Sequence, residues 1–151
     1  MTPEQSSVIA AILTEGKDMT IATVRPDGAP QATTVSYASD GVIIFFGCGE
    51  SSQKAQNLLH DHRVAVTVNL PYQDWAQIRG LALSGRARRL SDSEEIQRAA
   101  LLFLVKFPEI AQYVSAPDDG LAYFQIEPEI VSILDYRQGF GHTKLVRASG
   151  D

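Results

Sequence analysis

Gly47-Cys48-Gly49-Glu50-Ser51-Ser52-Gln53-Lys54-Ala55-Gln56-Asn57-Leu58 carries more chemistry than any other stretch of this chain. An apolar run ends there in glycines and serines, and a helix opens. Backbone N–H groups without intrahelical partners gather at a helix start and favour an anion. Lys54 falls in the first turn, where the helix dipole disfavours a cation by roughly 0.3–1 kcal/mol. A bound phosphate would reverse that balance. A plain serine cap at Ser51 or Ser52, with Lys54 in water, accounts for the same spacing.

The second constellation is Gln31-Ala32-Thr33-Thr34-Val35-Ser36-Tyr37. Its four hydroxyls could offer donors and acceptors to a flat polar ligand, although a strand with one solvated face is the simpler explanation of the run alone. His60, His62 and His142 have neither helix-borne zinc spacing nor a cysteine cluster beside them, so no metal site is expected. Cys48 reads as a structural or ligand-lining thiol, because nothing in the sequence sets a histidine next to it. Trp75 and Tyr136-Arg137-Gln138-Gly139-Phe140-Gly141-His142-Thr143 bring aromatics that could cover a ring system or a subunit seam. The basic island Arg86, Arg88, Arg89 is followed at once by Asp92, Glu94 and Glu95, as at a solvated strand end.

These residues need elements to hold them. Thr2, Pro3 and Gln5 spell a capping box for a first helix, with Val8, Ile9, Ile12 and Leu13 on one face and Gly16 as its stop. The period then changes to two. Met19 to Val24, Gln31 to Tyr37 and Val42 to Phe46 are β-type runs joined by turn-rich links, and such short links predict an antiparallel three-strand meander. Ser51 to Asp61 reads as a helix, Arg63 to Leu70 as a half-buried strand, and Ala76 to Leu90 as a long strand with Gly80 and Gly85 as bulges or bends. Ser91-Asp92-Ser93-Glu94 predicts a second capping box, opening a helix that reaches about Phe107 before Pro108. Leu121 to Ile126 and Ile130 to Tyr136 are two strands around Glu127-Pro128-Glu129, followed by a polar tail. Six or seven strands with three helices indicate an α+β chain, mainly β, built round an antiparallel barrel.

Composition narrows the class. The 151 residues, 44% hydrophobic and 21% charged, suit one globular domain spanning 1–151. A net charge of −5 disfavours nucleic acid as a partner. No apolar run reaches the ~18 residues of a membrane span, and the first residues do not read as a signal peptide. One cysteine fits a reducing cytoplasm.

In this order the pieces resemble the pyridoxamine-phosphate-oxidase-like family, the FMN-binding split barrels. The resemblance rests on Thr20 to Pro30, on Val35-Ser36-Tyr37 before Asp40-Gly41, and on Val42 to Gly47 leading into Ser52-Gln53-Lys54-Ala55. Arg63-Val64-Ala65-Val66 and Leu83-Ser84-Gly85-Arg86-Ala87 complete it. It implies a six-stranded antiparallel split β-barrel with flanking helices, and a cytoplasmic homodimer holding FMN at the subunit interface. It further implies phosphate binding by Ser52, Gln53 and Lys54, one flavin wall from Thr33, Thr34, Val35, Ser36 and Tyr37, and a second wall from Gly47 and Cys48. Where the family often has arginine, this chain has Gln53 and Thr33. The tail departs from the Arg/His-rich substrate motif of the vitamin-forming oxidases, so an unknown small molecule is expected as substrate. No catalytic acid or base is indicated. A deazaflavin-dependent reductase, a haem-binding split barrel with His142 or His62 as ligand, and a non-catalytic flavin store or sensor are the alternatives.

Overall fold

The computed structural model describes residues 1–113 and 120–148. Helix α1, Pro3–Glu15, opens on the expected reciprocal cap: the Gln5 N–H donates to Thr2 Oγ1 at 3.1 Å, and the Thr2 N–H to Gln5 Oε1 at 2.9 Å. Ile9, Ile12 and Leu13 are buried, whereas Val8 is exposed. Gly16 ends the helix in extended backbone, not in the left-handed turn usual for a terminal glycine. Glycine is required there by crowding, since a Cβ would lie 2.5 Å from the Tyr37 hydroxyl oxygen and 2.7 Å from Val68.

Eight strands follow: β1 Asp18–Val24, β2 Pro30–Ser36, β3 Ala38–Asp40, β4 Ile43–Gly49, β5 Arg63–Asn69, β6 Arg79–Arg89, β7 Leu121–Asp135 and β8 Thr143–Arg147. Helix α2, Gln53–His60, separates β4 from β5, and α3, Ser93–Lys106, separates β6 from β7. The sheet order is β2-β1-β5-β6-β7-β4-β3, with β8 also on β7, and every pairing is antiparallel. The two ends of this path, β2 and β3, are consecutive in the chain with only Tyr37 between them. A sheet whose first and last strands are covalent neighbours must curl until its ends meet. No ladder joins β2 to β3 among the described residues, so the curled sheet is a split barrel.

This topology corrects the expected meander. β1 and β2 form a hairpin, but β4 turns back on β3 across Gly41, a glycine at φ +59°, and then pairs with β7. Ile44, Phe45 and Phe46 are buried in succession, so β4 is covered on both faces as well as paired on both edges. Phe46 stacks on Phe124 of β7 with ring centroids 5.3 Å apart, in the middle of the core.

The two strands expected around Glu127-Pro128-Glu129 are one. β7 runs through them, pairing with β6 along one edge, while its other edge is shared by β4 over Leu121–Ile126 and β8 over Ile130–Leu134. Pro128 falls in the gap between those partners, where its missing N–H breaks no ladder. Opposite it, β6 shifts register between Ser84 and Gly85. A Cβ on Gly85 would sit 2.3 Å from the Glu127 carbonyl oxygen, so glycine admits the close approach. The tail, expected as polar chain, adds the strand β8 on β7. The long strand expected from Ala76 starts later, because Trp75–Gln77 forms a 3-10 turn.

α3 begins at Ser93 without the predicted capping box, since Asp92 at its N-cap makes no side-chain cap bond. Glu95, in the position that would reach back, instead binds Arg88 at 2.7 Å. Arg98 pairs with Asp40 of β3, and Lys106 donates to the Leu13 carbonyl at 3.1 Å. Three polar tethers to three elements thus fix α3 across the barrel. The arginine island is fully paired, through Arg86–Glu129 at 2.9 Å, Arg88–Glu95, and Arg89–Glu50 at 3.3 Å.

Candidate functional site

β4 ends in Gly47, Cys48 and Gly49, and the chain turns directly into α2. The Ser52 hydroxyl accepts the Ala55 N–H at 3.2 Å, and the Gln56 N–H reaches the Ser52 carbonyl at 3.1 Å. The N–H groups of Gln53 and Lys54, first in the helix, are thereby left without intrahelical acceptors. Lys54 is half-buried beside them. Burial lowers its pKa, and the neighbouring Cys48 acts in the opposite direction. Glu50, the nearest acid in sequence, is committed to Arg89, and no carboxylate among the described residues forms a salt bridge with Lys54. A partly desolvated ammonium next to two open N–H groups can receive an anion.

The side chains of Ser52 and Gln53 have other duties. Ser52 caps the helix, while Gln53 Nε2 donates to Asn57 Oδ1 at 2.8 Å. Asn57 is wholly buried, and its Nδ2 donates to Thr23 Oγ1 at 3.0 Å and to Gln31 Oε1 at 2.9 Å. This network ties α2 to β1 and β2. Sequence reasoning missed it; the available signal was an amide flanked by Ala55 and Leu58 on the apolar side of the helix.

Alternation along β2 splits the four hydroxyls expected to act together. Gln31, Thr33 and Val35 point inward and are half-buried, whereas Thr34 and Ser36 are exposed. Tyr37 leaves the group altogether. It is completely buried in the core, and its hydroxyl donates to the Leu13 carbonyl at 2.7 Å. Burial, and then the charge of Asp18, raises its pKa well above the ordinary range.

The inward row of β2 therefore runs from Gln31, bonded to α2, through Thr33 to Val35. Thr33 Oγ1 is buried without a hydrogen-bond partner. Buried hydroxyls are nearly always satisfied, and leaving one unmet costs about 1–3 kcal/mol. Val35 and Ser36 reach a cavity of about 480 Å³ that also includes Gly47. Val35 and Gly47 line that cavity, Cys48 lies next along β4 and close enough to act on the Lys54 charge, and Thr33 faces inward two residues before Val35.

The sequence pattern of the pyridoxamine 5'-phosphate oxidase family matches residues 6–135. The chain belongs to that family. A UPF0306 protein of Klebsiella pneumoniae strain 342 is 32% identical over 105 residues, covering 70% of this chain and 67% of that one. Among solved structures, a haem-binding protein from Mycobacterium smegmatis superposes with a TM-score of 0.80 at 20% identity. It covers 97% of this chain, which spans only 59% of its length. The haem storage protein HutZ of Vibrio cholerae superposes at 0.69 with 20% identity, covering 82% of this chain and 89% of its own. At these identities the structural likenesses establish the split-barrel fold.

His60 and His62 are exposed at the α2–β5 junction, and His142 is half-buried beyond β7. Among the described residues no three His, Cys, Asp or Glu side chains group as a metal site, and no helix is long and apolar enough to cross a membrane.

Proposed function

We propose that this family member binds FMN and is a flavin-dependent oxidoreductase acting on a small molecule. The observation that carries the reading is the half-buried Lys54 without an acidic partner, set beside the open N–H groups of α2. Lys54 and the Gln53 and Lys54 amides would hold the phosphate, with Thr33, Val35, Gly47 and Cys48 along the ring. Bound flavin supplies the redox chemistry, and the chain supplies binding, orientation and exclusion of water. Lys54 neutralises charge, the Asn57 network holds α2 in register with β2, and Thr33 offers a hydroxyl from a rigid strand. The reading includes a homodimer with the flavin between subunits. Exposed Leu101, Val105 and Phe140 support it as apolar surface a second copy could cover.

The test is to add FMN to the purified protein, desalt it, and record the visible spectrum. Retention of about one oxidised flavin per chain supports the proposal. A protein that emerges colourless loses it.

A haem reading has its own support in a second cavity of about 750 Å³. His142 lies there with Lys144, with Val8, Ala11 and Ile133 as apolar wall, and with Arg79 and Arg137, which are paired to Glu15 and Asp135. A Soret band after haem addition, lost in His142→Ala, would favour this site over the α2 site.

A further inference from the structure

The cavity under α3 has a chemistry of its own. The barrel side contributes Val35, Ser36 and Gly47, and the helical side contributes Phe103, Leu104 and Ile110. Among the described residues no charged side chain lines it. Its volume of about 480 Å³ lies in the usual range for small-molecule sites. The second cavity, lined by arginines, a lysine and carboxylates, shows that this fold places charges in concave surfaces elsewhere.

The Ser36 hydroxyl is already committed, donating to Asp18 Oδ1 at 3.1 Å. The Tyr123 ring lies against Gly47, 3.4 Å from where a Cβ would stand, and closes that side of the wall. The cavity is also preformed, because α3 is tied at Glu95, Arg98 and Lys106 to three separate elements.

We infer that this cavity takes an uncharged, mainly apolar ring compound, and that such compounds are the substrate class; this assignment to substrate rests on the flavin reading above. A carboxylate or phosphate ester would enter without a counter-charge, and desolvation excludes an unpaired ion from an apolar site. A substrate phosphate, as the family name suggests, would meet no cation among the described residues of this wall.

Three probes of the same ring size separate charge from shape: naphthol, naphthoate and naphthylmethylammonium. Each is titrated calorimetrically at neutral pH into FMN-loaded protein, and into the same protein without FMN. Naphthol is expected to bind at least about tenfold tighter than either ion. Ala100→Arg puts a cation on the cavity wall from an exposed helix position, so the fold is kept. It should remove the naphthol preference and strengthen naphthoate, with FMN affinity unchanged. Equal or tighter binding of either ion, or a naphthol affinity unmoved by Ala100→Arg, overturns the inference. FMN retention is read separately. A protein that rejects FMN yet prefers naphthol sinks the flavin reading and with it the assignment as substrate, while the ligand class of the cavity stands.

Discussion

Lys106 and Leu13 are 93 residues apart in the chain, yet the Lys106 ammonium donates to the Leu13 carbonyl at 3.1 Å. The last turn of α1 has no basic residue of its own. The negative end of that helix is therefore met by a cation from α3, which also sits 3.9 Å above the Tyr37 ring. Burial lowers the Lys106 pKa to about 8, with Asp18 opposing.

That relationship has a pH signature. Because the folded value lies below the ordinary 10.5, the unfolded chain binds more protons between about pH 8 and 10.5, and stability from this group rises with pH across that window. Tyr37 acts in the opposite sense only above its ordinary value near 10, because its raised pKa keeps it protonated when folded. Urea denaturation of wild type and Lys106→Met from pH 7 to pH 10 should show wild type gaining on the variant above about pH 8. A constant difference would mean that Lys106 is not desolvated.

Asn57, fully buried, makes three hydrogen bonds, and two of them join α2 to the barrel at Thr23 and Gln31. Asn57→Leu leaves Thr23, Gln31 and Gln53 without that partner, and should cost about 1–3 kcal/mol in chemical denaturation. FMN affinity should fall as well, because α2 would lose its register against β2. A stability equal to wild type would show that the network is replaced by water.

Lys54 has a role that stability measurements should not detect. Lys54→Ala removes a half-buried charge with no acidic partner, so its melting temperature should match or exceed that of wild type. FMN affinity should drop roughly ten- to a hundredfold, the worth of a charge-assisted hydrogen bond. Unchanged affinity in a fluorescence titration would remove Lys54 from the phosphate site.

Gly85 lets β6 pass the Glu127–Pro128 segment of β7. Gly85→Val drives a side chain into backbone that cannot rotate away, and overpacking of this kind costs about 1–3 kcal/mol or more. The loss should appear as a lower midpoint in thermal melts. A melt unchanged from wild type would place the bulge elsewhere.

Local signals carried much of this reading. The Thr2–Gln5 cap, the alternation of Val64, Val66 and Val68, and the helix opening near Ser52 and Lys54 each depend on neighbours within four residues, which a linear sequence displays. The family and the split barrel were legible for the same reason, since their motifs are short and ordered. The partners of those motifs were not. Val42 to Phe46 reads as the next strand of a meander, yet its neighbours are β3 and a strand some eighty residues away, because ladder partners are set by the closure of the whole sheet and not by neighbours in the chain. Pro128 reads as a break, but a glycine in another strand and a gap between two others let β7 continue. Tyr37 reads as a wall of the site, and packing of α1 turns it into the core. Residue types and local spacing set what each segment could do; long-range pairing, which no local rule encodes, decided which face of each strand met the cavity and which residues were left to receive a ligand.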